Sequence, residues 1–415
     1  MVIAALSVCR WKGSLLSTLA VWIKYIYLVL PLLAVMTLAH AHELKKMSLS
    51  SYIGKILGYP GKERIVYLDF TRALAVAFII LTHACSSQLS ADAEPWKISL
   101  LTCISSATLV SNPLYFMLSG ALLLSSTKKE SVGHFYYTRF VKVVVPFVIV
   151  YFLFMIIFGV VNIHDMGSIC DGIRQVLAGA HAHVPHFWFM YVLFGLYLSA
   201  PFLKVMVQNM SDKEIQALFC VILAEEVLTV FLPLMGISLG VGLDLGNYAG
   251  VFLLGYIITG RSSRARDTFL MITGSLCGIY TALILLIKDY ASVSPYLYNC
   301  SPIAVLFSCA IIVALKKNEQ RLRRRPHKII TAISTNGYLM MLLHWSVLFY
   351  ITRDTFGVQP LLFGCIGGIA LSLILTLAVC YILSAILENT IMISAKYLLS
   401  LPMDTLSSIR QKKQA

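Results

Sequence analysis

Three ionisable residues interrupt an otherwise apolar run, YLDFTRALAVAFIILTHAC at 67–85: Asp69, Arg72 and His83. A charged side chain at hydrocarbon depth costs about 2.5–3.5 kcal/mol or more, so such residues mark functional sites by default. On a helix turning 100° per residue, the eleven residues from Arg72 to His83 bring both to within about 20° of one face, about 16 Å apart along the axis. Asp69 lies three residues before Arg72, shares that face and is placed to pair with it. One stripe therefore carries a carboxylate, a guanidinium and an imidazole. A neutral imidazole at mid-depth suits removal of a proton from a hydroxyl. An arginine near the membrane face suits a phosphate or another anionic group. A structural reading stands beside these: Asp69 and Arg72 neutralise one another, and His83 bonds a neighbouring helix.

The elements that must position this stripe are membrane helices. Of 415 residues, 59% are hydrophobic and 13% charged, and the mean hydropathy is +0.82. Soluble domains carry about 25% charged residues, so the composition implies an all-α, polytopic integral membrane protein. The net charge of +14 does not point to nucleic acid, because the basic residues sit in short connections between apolar runs. Those runs fall at 66–86, 100–124, 141–161, 187–208, 215–237, 247–260, 268–288, 301–316, 329–352 and 361–387, a ten-helix transmembrane core.

Charge asymmetry orients that core. With 47–65 in the cytoplasm, the same side holds Lys128, Lys129, Arg139, Lys142, Lys204, Lys213, Arg261, Arg264, Arg266, the cluster KKNEQRLRRRPHK at 316–328, and the tail with Lys396, Arg410, Lys412 and Lys413. The other side holds Lys97, Arg174, Lys288 and Arg353. The positive-inside rule then places both ends of the core, 47–390, and a basic tail, 391–415, in the cytoplasm of a cell-membrane protein. The cluster at 316–328 reads first as a topology anchor and second as a contact for lipid headgroups. Residues 1–46 fit three descriptions: a signal-like segment ending near Ala39-His40-Ala41, an extra helix, or an extension upstream of a true start at Met47. The ten cysteines are scattered without a C-x-x-C and read as small buried hydrophobes, implying no disulfide framework and no zinc site.

Further candidates lie along the chain. His181, His183 and His186 in AHAHVPHFW imitate a metal site, but no carboxylate or cysteine joins them at ligand spacing. His186 and Trp188 suit an outer mouth where an indole stacks on a sugar ring, or else an interfacial anchor. Glu225 and Glu226 fall in the fifth apolar run. One of them serves a proton or a buried cation, or that helix ends early. Arg139 and Lys142, three apart, are topology anchors or the holders of an anionic ligand.

Several segments resemble acyltransferase family 3, a family of membrane acyltransferases. The first helix carries the family's arginine, ten residues and a histidine as Arg72 and His83, after a Tyr-x-Asp present as Tyr67-Leu68-Asp69. PLYFMLSGALL (113–123), FYYTRFVKVVVPF (135–147) and HFWFMYVLFGLYLSAPFL (186–203) resemble its next helices, and FLLGYIITGR (252–261) and STNGYLMMLLHWSV (334–347) resemble later ones more loosely. The likeness runs from 64 to about 387 and is nearest to the subgroup that includes the O-acetyltransferase of enterobacterial common antigen. It implies transfer of an acyl group from cytoplasmic acetyl-coenzyme A to a hydroxyl of a glycan or lipid-linked sugar, with no metal. It makes His83 the general base or an acyl relay, with Asp69 orienting Arg72. Arg72, Arg139 and Lys142 hold the coenzyme A phosphates, and His186, Trp188 and His344 lie on the acceptor side. Two departures are visible: Leu109 where the family often has arginine, and Leu339 and Met341 where the subgroup has glycine and tyrosine. A transporter or flippase of glycan intermediates, or a non-enzymatic subunit of a biosynthesis complex, would share the polytopic core. No internal repeat of the kind transporters show is present in the sequence. Membrane lipids and the acceptor are the expected partners, and the oligomeric state is open.

Overall fold

The computed structural model describes residues 15–59, 64–89, 91–128, 130–179, 181–237, 247–260, 263–284, 287, 301–324 and 328–401. The basic residues Lys129, Arg261, Lys288, Arg325, Arg410, Lys412 and Lys413 lie outside them. Among the described residues the regular structure is helical and no strand occurs. This follows from the solvent. In hydrocarbon every N–H and C=O must find a partner within its own segment, which an apolar run achieves as a helix.

In chain order the helices are α1 (Leu15–Leu44), α2 (Leu49–Ile56), α3 (Val66–Ser86), α4 (Pro95–Thr108), α5 (Ser111–Leu124) and α6 (Val132–Arg139). Then come α7 (Val145–Ile157), α8 (Met166–Ala178), α9 (Trp188–Asn209), α10 (Asp212–Leu234) and α11 (Tyr248–Thr259). The series ends with α12 (Arg264–Ile284), α13 (Pro302–Lys317), α14 (Glu319–Arg323), α15 (Lys328–Ser346) and α16 (Ile366–Leu387). Wide π-type turns at Phe140–Val144, Val347–Arg353 and Glu388–Met392 join α6 to α7 and extend α15 and α16.

Six stretches are long and apolar enough to cross a membrane: Val66–Ser86, Pro95–Leu124, Val132–Ile157, Pro185–Asn209, Arg264–Ile284 and Ile366–Leu401. The protein is therefore multi-pass. The other apolar runs also form helices, but by length and composition six among the described residues qualify, against the ten expected. Helix α13 shows how a run falls short: its 16 residues rise about 24 Å, under the ~30 Å of a hydrocarbon core. Helix α10 continues to Leu234, past Glu225 and Glu226, so the run does not end early. Glu226 is wholly buried there, while Glu225 is partly exposed.

The chain divides into two compact units, one of Met1–Ile56 with Ile386–Ala415, the other Leu57–Ala385. In the first, the His40 ring bonds the Tyr52 hydroxyl through Nδ1 and meets the Asn389 carbonyl oxygen through Nε2 at 2.9 Å. Lys55 pairs with Glu43. The Ala39-His40-Ala41 stretch thus lies inside a helix tied to α2 and to the turn at 388–392.

In the second unit α3 is interior. The apolar window of Val66–Ser86 is 61% buried and that of Pro95–Leu124 is 78% buried, against 28% for Arg264–Ile284. Helix α3 packs against α4, α5, α13 and α15. Close approach sets the frame: a Cβ on Gly120 would overlap the Phe252 carbonyl, and one on Gly255 the Met117 carbonyl, so α5 and α11 meet backbone to backbone. Small residues allow such contact where lipid supplies no hydrophobic drive between helices. Gly120→Ala is expected to destabilise the fold by about 1–3 kcal/mol, read as a lowered Tm in detergent. An unchanged Tm would contradict this packing. At the far end of α11, Lys316 Nζ donates to the carbonyls of Ile258 (3.1 Å) and Gly260 (2.7 Å). This residue of the basic cluster caps a helix C-terminus, where a cation is favoured.

Candidate active site

The acid of the opening stripe sits in the first turn of α3, where a carboxylate complements the helix dipole. Asp69 is 5% exposed. Its partner is Arg64, in the extended residues before the helix: Nε donates to Oδ2 at 2.6 Å and Nη2 to Oδ1 at 2.5 Å, the bidentate fork that suits a carboxylate. Ser334 of α15 donates its hydroxyl to Oδ1 at 2.7 Å. Arg72 turns elsewhere, donating from Nη1 to the Ser334 carbonyl at 3.2 Å and hydroxyl at 3.4 Å. The expected direct pairing of Asp69 with Arg72 is thus replaced by a relay through Ser334, because Arg64 and Ser334 already occupy the carboxylate oxygens. Gly337 makes room for this: a Cβ there would stand 3.0 Å from Arg72 Cδ and 3.1 Å from Cγ.

The same stretch of α15 reaches toward the other cations. Tyr338 donates its hydroxyl to the Val143 carbonyl at 2.6 Å, in the wide turn that holds Lys142. Tyr115 donates to the Gly337 carbonyl at 3.4 Å. Arg139 ends α6 with its guanidinium 5.1 Å from the Phe135 ring centre, and Lys142 is exposed. The π-type turn starts between them, so one α-helical face does not describe their relation.

At the other end of the stripe, His83 lines a cavity of about 250 Å³. Its walls include Thr82 of α3, Leu109, Ser111, Asn112, His186, Trp188, Met341 and Trp345. Of the residues that depart from the family pattern, Leu109 and Met341 face it and Leu339 does not. The cavity exists where the Pro95–Leu124 span is interrupted between α4 and α5. Ser111 and Asn112 open α5, so the positive end of its dipole borders the cavity. Thr82 and Thr108 share a hydrogen bond of 2.8 Å beside this interruption.

Three imidazoles from three elements gather here. The His83 and His344 ring centres lie 5.4 Å apart with planes 20° from parallel. His186 and His344 lie 4.8 Å apart, edge to face. The Trp345 ring is 4.9 Å from His83 and 6.0 Å from His186. His344 is fully buried and is absent from the cavity wall. Its Nδ1 meets the Met341 carbonyl oxygen at 2.5 Å, and His186 Nε2 meets that of Leu342 at 3.0 Å. The second nitrogens of both rings, His344 Nε2 and His186 Nδ1, are buried without a partner among the described residues. His181 and His183 go elsewhere: they stack on each other at 5.2 Å, and His183 stacks on Phe158 at 4.7 Å.

The geometry joins a guanidinium held by Ser334 to a histidine-lined cavity within one helical span. The family model of the acyltransferase 3 group, described as "Acyltransferase domain", matches residues 65–385. The chain belongs to acyltransferase family 3. No curated protein and no solved structure matches it. As a family 3 member it is a membrane acyltransferase, and the matched residues end at Ala385, where the larger compact unit also ends.

Arg64, Ser334, Gly337 and Trp345 touch the candidate residues Asp69, Arg72 and His83 and were not singled out by the sequence. Arg64 carried a usable signal: it lies five residues before an acid in a helix's first turn, close enough to fold back. Ser334 and Gly337 carried none, since small residues are common throughout membrane helices.

Proposed function

We propose that this acyltransferase moves an acyl group, in the first instance acetyl, from cytoplasmic acyl-coenzyme A to a hydroxyl of a cell-envelope glycan or lipid-linked sugar. The observation that carries this reading is His83, placed by α3 on a cavity that also presents Trp188, Trp345, Ser111 and Asn112. Indoles supply faces for a sugar ring. A cavity of about 250 Å³ is smaller than the ~300–1,000 Å³ of drug-sized pockets, which suits one ring and the reacting thioester. In this reading the acceptor O–H gives its proton to a His83 nitrogen as its oxygen attacks the thioester carbonyl. The oxyanion forms beside the α5 N-terminus, an arrangement suited to developing negative charge. Collapse breaks the C–S bond, and the leaving thiolate takes the proton from His83, which returns to the neutral ring. In a covalent relay a His83 nitrogen attacks the thioester carbonyl and expels the thiolate, and the acceptor oxygen then takes the acyl group from the ring while its proton passes to the thiolate.

Arg72 holds a donor phosphate, with Arg139 and Lys142 toward the cytoplasmic end. Asp69 acts through Ser334 and Arg64 to fix the Arg72 platform. His186 and Trp188 face the acceptor. The ten-span arrangement with both ends cytoplasmic puts Arg72 on the donor side and the cavity near mid-depth.

Two tests address this. Mass spectrometry of envelope glycans from cells with and without the gene should show an acyl ester that is lost with the gene and not restored by His83→Ala. An unchanged ester in the deletion would overturn the reading. Gly337→Ala should push the Arg72 stem aside and raise the KM for acyl-coenzyme A about tenfold, or ~1.4 kcal/mol. Steady-state kinetics on purified protein measures it, and an unaltered KM would contradict the donor role of Arg72.

A further inference from the structure

A backbone carbonyl can only accept a hydrogen bond, so the ring nitrogen that meets it carries the proton. His344 is therefore an Nδ1–H tautomer held by Met341, and its Nε2 is a lone-pair acceptor. A doubly protonated ring would leave a buried, unpartnered N–H⁺ at membrane depth, which is far more costly than the neutral ring. That acceptor is fully buried, has no partner among the described residues and does not reach the cavity. An unsatisfied buried acceptor costs about 1–3 kcal/mol, so the site is built to receive a donor there. The ring beside it at 5.4 Å, with planes 20° from parallel, is His83. The stacked rings make no hydrogen bond as they stand; a ring N–H of His83 reaches the His344 nitrogen, at about 3 Å, only when the His83 ring turns out of that arrangement. Among the described residues the His83 ring makes no other hydrogen bond that fixes which nitrogen carries its proton.

We propose that His344 is the positioning partner of His83. In the reacting complex His83 donates one ring N–H to His344 Nε2, which leaves its other nitrogen as a lone pair facing the acceptor hydroxyl. The Met341 carbonyl, through His344, thus sets the tautomer and orientation of the base. This is the role that a third group plays behind any base, performed here by a neutral imidazole, because a carboxylate at this depth would carry a desolvation penalty. The other titratable ring packed about this pair is His186, whose own tautomer is set by Leu342. When the acceptor proton arrives on His83, the imidazolium keeps its bond to His344 until the thiolate takes that proton away.

The proposal rests on His83 being the base, and the test separates the two claims. A glutamine at 344 places an acceptor oxygen where Nε2 stands, an asparagine places it near Nδ1, and a leucine supplies none. Each variant is purified in detergent, checked for a monodisperse folded peak, and assayed for kcat and acceptor KM beside His83→Ala. His344→Gln should stay within about tenfold of wild type. His344→Asn and His344→Leu should lose about 10²-fold in kcat with acceptor KM nearly unchanged. Equal activity of the three variants, or a loss confined to KM, would overturn the positioning role while His83→Ala remained inactive. An active His83→Ala would instead overturn the base assignment, and the proposal with it.

Discussion

Replacing His83 by alanine is expected to lower acyl transfer by about 10²–10⁴-fold, the range a positioned general base contributes. The protein should stay folded, since the His83 ring makes no hydrogen bond among the described residues. Donor binding should also survive, because Arg72 is held by the bonds it donates to Ser334 on the neighbouring helix. The expected signature is thus a collapse of kcat with the acyl-coenzyme A affinity nearly intact, measured by equilibrium binding and turnover on the same preparation. Loss of donor binding together with turnover would mean that the ring supports the fold or the donor site.

The second large effect is on stability. Asp69→Ala removes a 5%-exposed carboxylate that accepts two bonds from Arg64 and one from Ser334. Breaking a buried ion pair on one side costs about 3–5 kcal/mol, because the surviving charge is left uncompensated. The Arg64 side chain is 23% exposed and recovers some hydration, so about 3 kcal/mol is expected here. The measurement is the thermal midpoint of the purified protein, and Asp69→Ala should fall well below wild type. Removing both charges in Arg64→Met with Asp69→Leu should recover most of that loss, since apolar replacements of a buried pair are often neutral. Yet the double variant should still bind donor poorly, because Ser334 loses the acceptor that fixes it beside Arg72. A double variant that is both stable and fully active would remove Asp69 from the catalytic account.

How far the site was legible in the sequence follows from helix geometry. The Arg72–His83 stripe could be read because both residues lie on one regular helix, where a fixed rise and rotation convert spacing into position. The Asp69–Arg72 pair could not. Three-residue spacing makes two side chains neighbours, but it does not show that Arg64, outside the helix, will take the carboxylate first. The same limit applies to Arg139 and Lys142, whose α-helical arithmetic fails at the π-type turn beginning at Phe140. The meeting of His83, His186 and His344 is a tertiary event between elements more than a hundred residues apart in sequence. His186 was marked by its neighbour Trp188. Nothing local showed that the His344 ring would lie 5.4 Å from that of His83. Apolar runs and alternating charge pointed to ten spans, whereas six stretches among the described residues are long and apolar enough to cross a membrane.

The central claim is that His83 drives transfer of an acyl group from coenzyme A to an envelope hydroxyl. Its most direct measurement uses membrane vesicles with the cytoplasmic face outward, supplied with acetyl-coenzyme A labelled in the acetyl group. Vesicles carrying the wild-type chain should place the label in alkali-labile esters of the glycan fraction, while those carrying an equal amount of His83→Ala should place almost none. Equal labelling by the two, or labelling that does not depend on the chain at all, would contradict the account.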